Sequence, residues 1–275
     1  MHSLKEVIRS LRAKKSLGQN FLTDPHILKR IVEEAGTLED HTVIEVGPGP
    51  GGLTREIIKH ACKELILIEQ DTLCLPYLEP LKTYFKGEFA LLNADALGLP
   101  LHTFGSPPRK IIANLPYNIS VPLLLKWLEN IDDFESLTLM FQKEVAARLT
   151  AVPHTSDYGR LSIMCQWKAN VKKRFDLPPG AFLPPPKVTS TLIHLTPRVP
   201  REAVSWKALE KITKAAFSKR RKMLRSSLKG FISSPQEFLI EAHVNPEHRA
   251  EDLSVKEFCD MASLWEKEEM RTENV

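Results

Sequence analysis

The feature that most constrains this chain is a run of glycines and prolines directly after an apolar segment, in Val43-Ile-Glu-Val-Gly-Pro-Gly-Pro-Gly-Gly-Leu-Thr54. The apolar residues predict a buried strand, and the residues after the glycines predict a helix. Glycine lets the backbone approach a ligand closely, and the first turn of a helix offers free N–H groups. The run therefore predicts a strand, a ligand-binding loop and a helix, with a tight structural turn as the alternative.

The first two-thirds of the 275 residues alternate β-branched runs with helical patterns. The predicted strands are Thr42–Val46, Glu64–Glu69, Phe89–Asn93, Lys110–Asn114 and Ser136–Phe141. The predicted helices lie near Gly52–His60, Thr72–Leu81, Val121–Asn130 and Lys143–Thr150. An earlier helix is expected to begin after Asp24 as its N-cap, with Pro25 at its first position and Gly36 as its stop. This alternation predicts a parallel sheet with helices on both faces.

The last third of the chain changes character. The runs Val171–Leu177 and Val188–Leu195 are strand-like and predict an antiparallel pair at the edge of the sheet. A linker is expected at Thr196–Pro200, followed by the predicted helices Trp206–Lys229, Pro235–Ala242 and Ser254–Lys267. We therefore expect an α/β domain over residues 1–197 and a small all-α domain over residues 198–275.

Composition excludes several classes of protein. Hydrophobic residues make up 43% and charged residues 26%, which is typical of a globular chain and not of a disordered one. The four cysteines are widely spaced, which excludes a zinc ribbon or a small disulfide scaffold and suits a reducing cytosol. We expect no metal site, no membrane span and no secretory signal in Met1–Lys15. The net charge of +4 permits a polyanionic partner.

Two cofactors suit the glycine loop. Gly47, Gly49 and Gly52 fit the G-x-G-x-x-G pattern of dinucleotide-binding loops, so NAD has to be considered. Glu45 stands two residues before the first glycine, where methyltransferases of this fold carry an acid. The loop also holds two stiffening prolines. These neighbours favour S-adenosylmethionine over NAD.

Two acidic residues follow the next strands. Glu69 ends the second strand, where a carboxylate can accept both ribose hydroxyl protons of either cofactor, although a solvated strand-end acid is the alternative. Asp95 follows the third strand and is placed to accept from an adenine amino group, although it could equally cap a helix. Because the carboxyl ends of parallel strands meet at one edge, these residues predict one cofactor crevice.

The fourth strand runs into Asn114-Leu-Pro-Tyr117, which is close to the N/D-P-P-Y of amino-group methyltransferases. An adenine exocyclic amine is a poor nucleophile because its lone pair is delocalised into the ring. The side-chain oxygen of Asn114 and the carbonyl of Leu115 can accept its two N–H bonds and push the nitrogen toward tetrahedral geometry. Pro116 fixes φ, and Tyr117 can stack on the base. The alternative is a strand-to-turn corner with a buried tyrosine.

Four strings together carry a resemblance to a known family. They are Lys15-Ser-Leu-Gly-Gln-Asn-Phe-Leu22, the glycine loop, Asn114-Leu-Pro-Tyr-Asn-Ile-Ser120 and Phe182-Leu-Pro-Pro-Pro-Lys-Val-Thr-Ser190. Over nearly its whole length the chain resembles the ribosomal RNA adenine dimethyltransferases, most of all their bacterial small-subunit members. The Phe182 string and Arg249-Ala-Glu-Asp-Leu-Ser254 favour this branch over the related enzymes that modify large-subunit rRNA.

The resemblance implies a Rossmann-like, S-adenosylmethionine-dependent methyltransferase sheet and a specific reaction. Two neighbouring adenosines near the 3′ end of small-subunit (16S) rRNA would each receive two methyl groups on N6 during small-subunit biogenesis. The substrate would be rRNA within a pre-assembled small subunit, and the enzyme a cytoplasmic monomer. Phe182 would stack on the target adenine opposite Tyr117. The implied cofactor contacts are Asn20, Leu22, Gly47, Glu69, Asp95 and Asn114. The chain departs from the family at Val121, where Thr is frequent, and at Thr189, where Asp is common.

A run of cations supplies a candidate RNA contact. A target adenine inside a duplex must be flipped out, and the backbone around it needs positive charge nearby. The basic run, defined as Lys219, Arg220, Arg221 and Lys222, is expected on one helix with Arg225. A solvated helix face is the alternative. A second basic stretch, Arg9, Arg12, Lys14 and Lys15, is expected beside the cofactor entrance.

Two other functions compete with methyl transfer. A nucleotide-dependent oxidoreductase on the same sheet would explain the glycine loop, but it gives the Asn114–Tyr117 motif no task. A non-catalytic assembly factor that binds ribosomal particles would explain the basic run, but the intact motif argues against lost activity.

Overall fold

The computed structural model describes residues 4–11, 19–199 and 201–273. The chain forms two compact units. The sheet unit comprises the chain up to Ala146 together with Asn170–Pro197, and the helical unit comprises Ala147–Ala169 and the chain from Arg198 onward. One boundary between the units falls between residues 197 and 198, where the sequence analysis places it. Residues 147–169, expected in the first domain, group with the helical unit instead. The reason is packing: the Trp167 ring lies 6.1 Å from the Trp206 ring.

The helices and strands of the sheet unit follow the expected alternation. Its helices are α1 (Leu4–Leu11), α2 (Pro25–Glu34), α3 (Gly52–Ile57), α4 (Leu75–Leu78), α5 (Tyr117–Glu129) and α6 (Lys143–Thr150), the last of which runs past the end of the unit. Its strands are β1 (Phe21–Leu22), β2 (Thr42–Val46), β3 (Glu64–Glu69), β4 (Glu88–Asn93), β5 (Arg109–Ala113), β6 (Ser136–Gln142), β7 (Ala169–Leu177), β8 (Phe182–Leu183) and β9 (Ser190–Pro197).

The central sheet has seven strands in the order β4-β3-β2-β5-β6-β9-β7. The strands from β4 to β6 are parallel, and β9 runs antiparallel to β6. Every residue of β2 is buried, as expected for a central parallel strand that is covered on both faces. The prediction of a parallel sheet is confirmed, and the two strand-like runs of the last third are neighbours at its edge.

A second, two-stranded sheet joins distant parts of the sequence. Strand β1 pairs antiparallel with β8, so that Phe21 lies opposite Leu183 and Leu22 opposite Phe182. This pairing brings together two of the four strings that carry the family resemblance. Residues 15–18 of the first string lie outside the described residues.

Helix α2 shows how local sequence sets the ends of an element. The Asp24 carboxylate accepts the backbone N–H groups of His26 and Ile27, and Pro25 occupies the first helical position, as predicted. After the helix, Gly36 adopts a φ of +75°, which favours glycine. The predicted start and stop of this helix are confirmed.

The helical unit contains α7 (Arg160–Lys168), α8 (Trp206–Ala216), α9 (Leu224–Ser227), α10 (Pro235–Glu241) and α11 (Val255–Glu273). Aromatic rings pack between its elements: Phe217 stacks on Phe258 at 5.8 Å and Phe231 on Trp265 at 5.6 Å. Among the described residues, no helix combines the length and apolar character that a bilayer crossing requires.

The prediction of one helix over Trp206–Lys229 is wrong. Helix α8 ends at Ala216, and a short 3-10 turn and a non-helical stretch precede α9. The N–H of Leu224 donates to the carbonyl of His248 at 2.8 Å instead of to the preceding helical turn. The Ser227 hydroxyl donates to the Lys219 carbonyl at 3.3 Å, which ties the two sides of the break together.

Lys110 gives a test of the packing at the amino end of β5. Its side chain is buried, and Nζ donates to the carbonyls of Ala35 at 3.1 Å and Thr37 at 2.6 Å and lies 3.1 Å from Glu135 Oε1. Lys110→Met keeps the aliphatic stem but leaves three acceptors without this donor. We expect the free energy of unfolding in urea to fall by about 3 kcal/mol.

The control is Lys29→Met, which removes an exposed lysine paired with Glu33 at 3.6 Å. Its effect should stay within about 0.5 kcal/mol. Equal effects of the two substitutions would show that the buried ammonium does not stabilise this part of the fold.

Candidate active site

A cleft opens where the parallel strands end. The loops after β2, β3, β4 and β5 line it, together with the segment before β1. Of the predicted site residues, those that line the cleft are Asn20, Gly47, Glu69, Asp95, Asn114, Leu115 and Tyr117. Leu22 and Phe182 do not line it. The structure thus brings together most of the residues that the sequence predicts for one crevice.

The glycine loop has a backbone that other residues rarely adopt. Gly47, Gly49 and Gly51 have φ values of +69°, +56° and +85°. A Cβ on Gly49 would lie 2.6 Å from the Phe21 ring, closer than any real contact. Steric space and conformation therefore both require glycine at position 49. The loop thereby keeps its backbone at the floor of the cleft.

Glu69 holds the loop and faces the cleft. Its Oε2 accepts the N–H of Gly49 at 2.8 Å, and its Oε1 accepts the N–H of Asp71 at 2.7 Å. Burial raises the pKa of this carboxyl, although the two hydrogen bonds act in the opposite direction and lower it. Each carboxylate oxygen has two acceptor positions, so both oxygens can still accept a further donor. The side chain can therefore serve the loop and a ligand diol together.

Glu45 lies below the loop in a smaller cavity that Gly47, Pro48 and Asn114 also line. Complete burial raises its pKa to about 8, with the Thr54 hydroxyl opposing the shift. Its Oε2 is buried and makes no hydrogen bond within the described residues. An acceptor in this position can be satisfied by a cationic or hydrogen-bond-donating group of a ligand.

Asp95 caps a helical turn, which is one of its two predicted alternatives, and it also lies at the cleft. Its Oδ1 accepts the N–H of Leu97 at 2.9 Å and caps the short turn Ala96–Gly98. The side chain is also exposed at the cleft. The cap fixes the direction of the carboxylate, and its other oxygen remains an acceptor at the rim.

Asn114 has a fixed amide orientation. Its Nδ2 donates to the backbone carbonyl of Asn20 at 3.0 Å. This hydrogen bond assigns the nitrogen to the protein side and leaves Oδ1 as the acceptor. With the neighbouring Leu115 at the same cleft, the chain presents an amide oxygen next to a peptide unit, as the sequence predicts.

Tyr117 begins helix α5 and forms part of the cleft wall. The ring is half-buried, and its hydroxyl lies 2.5 Å from the Ser190 Oγ. Burial raises the pKa of this phenol, so the hydroxyl is neutral at physiological pH. The alternative of a tyrosine walled off in the core does not hold.

Two predicted site residues lie elsewhere. Leu22 is 5% exposed, packs in the core and borders the smaller cavity, whereas its neighbour Phe21 lines the main cleft. Phe182, opposite Leu22 in the small sheet, is 3% exposed and packs in the same core. Successive side chains of a strand point to opposite faces. Only one of two neighbours in the same strand can therefore face the cleft. Stacking by Phe182 is not seen here and stays a prediction.

Two further residues of the site were not predicted. Gln19 lines the cleft, and its Nε2 donates to Asp71 Oδ2 at 2.8 Å. Ser190 holds the Tyr117 hydroxyl. Each lies within a string that carries the family resemblance, and this position in the sequence is the signal that could have identified it. Which atoms form hydrogen bonds is seen only once the distant segments pair in the structure.

The basic run is exposed, but it does not lie on one helix as predicted. Arg220 donates through Nε to Glu251 Oε2 at 2.9 Å and through its guanidinium to the carbonyls of Ser156 and Tyr158. It therefore fastens loops within the helical unit. Arg221 and Lys222 are exposed and remain the candidates for an RNA contact. Of the second basic stretch, Arg12, Lys14 and Lys15 lie outside the described residues.

Within the part of the chain that the structure describes, no three His, Cys, Asp or Glu residues group in a way that could hold a metal ion.

Comparisons with known proteins agree on one family. The family model described as ribosomal RNA adenine dimethylase matches residues 10–267. A ribosomal RNA small subunit methyltransferase A from Rhizobium johnstonii is 48% identical over 266 residues, covering 94% of this chain and 96% of that protein. A protein of the same name from Ruegeria sp. (strain TM1040) is 45% identical, covering 96% of each.

Two solved structures share the fold. A dimethyladenosine transferase from Plasmodium falciparum superposes with a TM-score of 0.78 at 25% identity, over 90% of this chain and 98% of that one. The 23S rRNA methyltransferase ErmE superposes with a TM-score of 0.66 at 24% identity, over 90% and 100%. The second likeness concerns the fold alone.

The close contact between Gly49 and Phe21 can be tested by substitution. Gly49→Ala places a methyl group against the ring and forces alanine to a positive φ. We expect the free energy of unfolding in urea to fall by about 2–3 kcal/mol.

The matched control is Gly180→Ala, since no heavy atom lies within 4 Å of a Cβ built there. It should leave the urea midpoint nearly unchanged. A Gly49→Ala protein as stable as the Gly180→Ala protein would contradict the steric account of the loop.

Proposed function

Because the chain belongs to the ribosomal RNA adenine dimethylase family, we propose that it transfers methyl groups from S-adenosylmethionine to N6 of adenosines in small-subunit rRNA. Two neighbouring adenosines near the 3′ end each receive two methyl groups. The substrate is rRNA in a pre-assembled small subunit during biogenesis, and the enzyme acts as a monomer in the cytoplasm. The observation that carries this proposal is the amide of Asn114, whose oxygen is left as an acceptor at the cleft.

The residues of the cleft fit the methyl donor. Glu69 has acceptor capacity for two ribose hydroxyls, and Asp95 for an adenine amino group. In the adjoining smaller cavity, the unpaired Oε2 of Glu45 can accept a hydrogen-bond donor of the ligand. Gly47 and Asn20 also line the cleft. When bound, S-adenosylmethionine supplies an electrophilic methyl group on its sulfonium.

The acceptor pair explains how a weak nucleophile reacts. Asn114 Oδ1 and the Leu115 carbonyl each accept one N–H bond of the target amine, which localises the nitrogen lone pair. Tyr117 stacks on the purine and holds the nitrogen in line with the methyl group. No strong base is needed, because the methylated amine is cationic and loses its proton readily. Positioning and electrostatics are therefore the main catalytic effects.

Several observations support the small-subunit rRNA as substrate. The relatives of 45–48% identity that cover nearly the whole chain carry small-subunit methyltransferase names. The exposed Arg221 and Lys222 offer positive charge for the RNA backbone. The target base must leave its stack to reach the cleft, and Tyr117 provides a ring on which it can be held.

A binding experiment separates this proposal from the oxidoreductase alternative. Isothermal titration should show that S-adenosylhomocysteine binds and that NAD does not. Binding of NAD alone would overturn the proposal, because the Asn114–Tyr117 motif then has no role.

Asn114→Ala tests the acceptor pair. The substitution removes one of the two groups that grip the amine, so methyl transfer to unmethylated small subunits should fall by at least about 100-fold. Particle binding, measured by filter retention, should stay nearly unchanged. Asn170→Ala, an exposed asparagine of β7, is the control and should keep full activity. Transfer by Asn114→Ala at the control's rate would show that the assigned acceptor is wrong.

Charge reversal tests the basic run. Replacing Arg221 and Lys222 by Glu should weaken particle binding and lower the slope of log K against log salt by about 1–2. Reversal of the exposed Lys256 and Lys267 of α11 changes the net charge equally and serves as the control. If both double variants bind with the same affinity and salt slope, the basic run is not a specific RNA contact.

A further inference from the structure

The hydroxyl of Tyr117 is held by a residue that takes no direct part in the proposed methyl transfer. Ser190 Oγ lies 2.5 Å from this hydroxyl. We propose that Ser190 is a positioning residue, which holds the Tyr117 ring at the place where the target adenine stacks. The inference rests on the proposed function, since it concerns the same pocket.

Ser190 is built into the sheet and does not move freely. It is the first residue of β9, is fully buried and lies opposite Gln142 at the end of β6. The adjacent Thr189 carbonyl accepts the N–H of Lys143 at 2.9 Å. Backbone pairing on both strands therefore fixes the Ser190 hydroxyl at the carboxyl edge of the sheet.

The hydrogen bond holds the ring at its far end. The Cα and Cβ atoms of Tyr117 are held by the backbone, because this residue is the first of α5. Fixing the hydroxyl as well prevents the side chain from swinging about its first side-chain torsion, so the ring stays in the cleft wall. An error of about 1 Å in such a position can lower a rate by about 100-fold.

Packing alone does not demand this partner. Tyr158 is completely buried, yet its hydroxyl has no hydrogen-bond partner within the described residues. The half-exposed Tyr117 could take water as its partner, but it is paired with a buried serine instead. The pairing thus places the ring.

A double-mutant cycle measures the coupling. Ser190→Ala, Tyr117→Phe and the double variant are compared in single-turnover methyl transfer to unmethylated small subunits. We expect each single variant to be slower by about 10-fold and the double variant to be no slower than either, because all three lack the same bond. Ser190→Thr keeps the hydroxyl and should be faster than Ser190→Ala. Affinity for S-adenosylhomocysteine should change less than about 2-fold.

Ser136→Ala is the matched control. Ser136 is also a buried strand serine, but its Oγ has no hydrogen-bond partner in the described chain, and it lies at the opposite end of β6. Its variant should transfer methyl groups at the wild-type rate. If Ser190→Ala does not fold, Tyr117→Phe decides alone, because it removes the bond and keeps the ring.

The outcomes separate this inference from the proposed function. Wild-type rates for Ser190→Ala or Tyr117→Phe, together with an inactive Asn114→Ala, would overturn the role of Ser190 and leave the reaction in place. Rate losses that multiply in the double variant would also overturn it, since the two groups would then act independently. An active Asn114→Ala would instead contradict the assignment of the pocket.

Discussion

Strand β2 lies between β3 and β5 and runs parallel to both. Parallel pairing places the ends of these strands at one edge, so the glycine loop, Glu69 and Asn114 become neighbours although Gly47 and Asn114 lie 67 positions apart in the sequence. The Glu69 carboxylate then bridges two strands by accepting the N–H of Gly49. The geometry of the cleft therefore depends first on the register of this pairing.

The segment before β1 completes the cleft from outside the sheet. Gln19 bonds to Asp71 after β3, and the Asn20 carbonyl accepts from Asn114 after β5. The pairing of β1 with β8 connects this segment to the Phe182 string. The orientation of the Asn114 amide thus depends on a part of the chain far away in sequence.

Sequence patterns predicted what is set locally and failed where distant contacts decide. The strands and the cap of α2 follow from apolar runs and from Asp24. Helix α7 was missed because its residues Ser162–Cys165 are buried in succession, which leaves no amphipathic period. The helix expected over Trp206–Lys229 breaks because the Leu224 N–H bonds to His248. Which residue of β1 faces the cleft depends on its pairing with β8, which no local pattern contains.

The central claim is that the cleft methylates adenine N6 in small-subunit rRNA. Unmethylated small ribosomal subunits should be incubated with the protein and isotope-labelled S-adenosylmethionine. The rRNA should then be digested with a nuclease and the masses of its fragments measured by mass spectrometry. The account predicts one labelled fragment near the 3′ end that carries N6,N6-dimethyladenosine at two neighbouring positions. Label on another base, on large-subunit rRNA alone or on no fragment would contradict it.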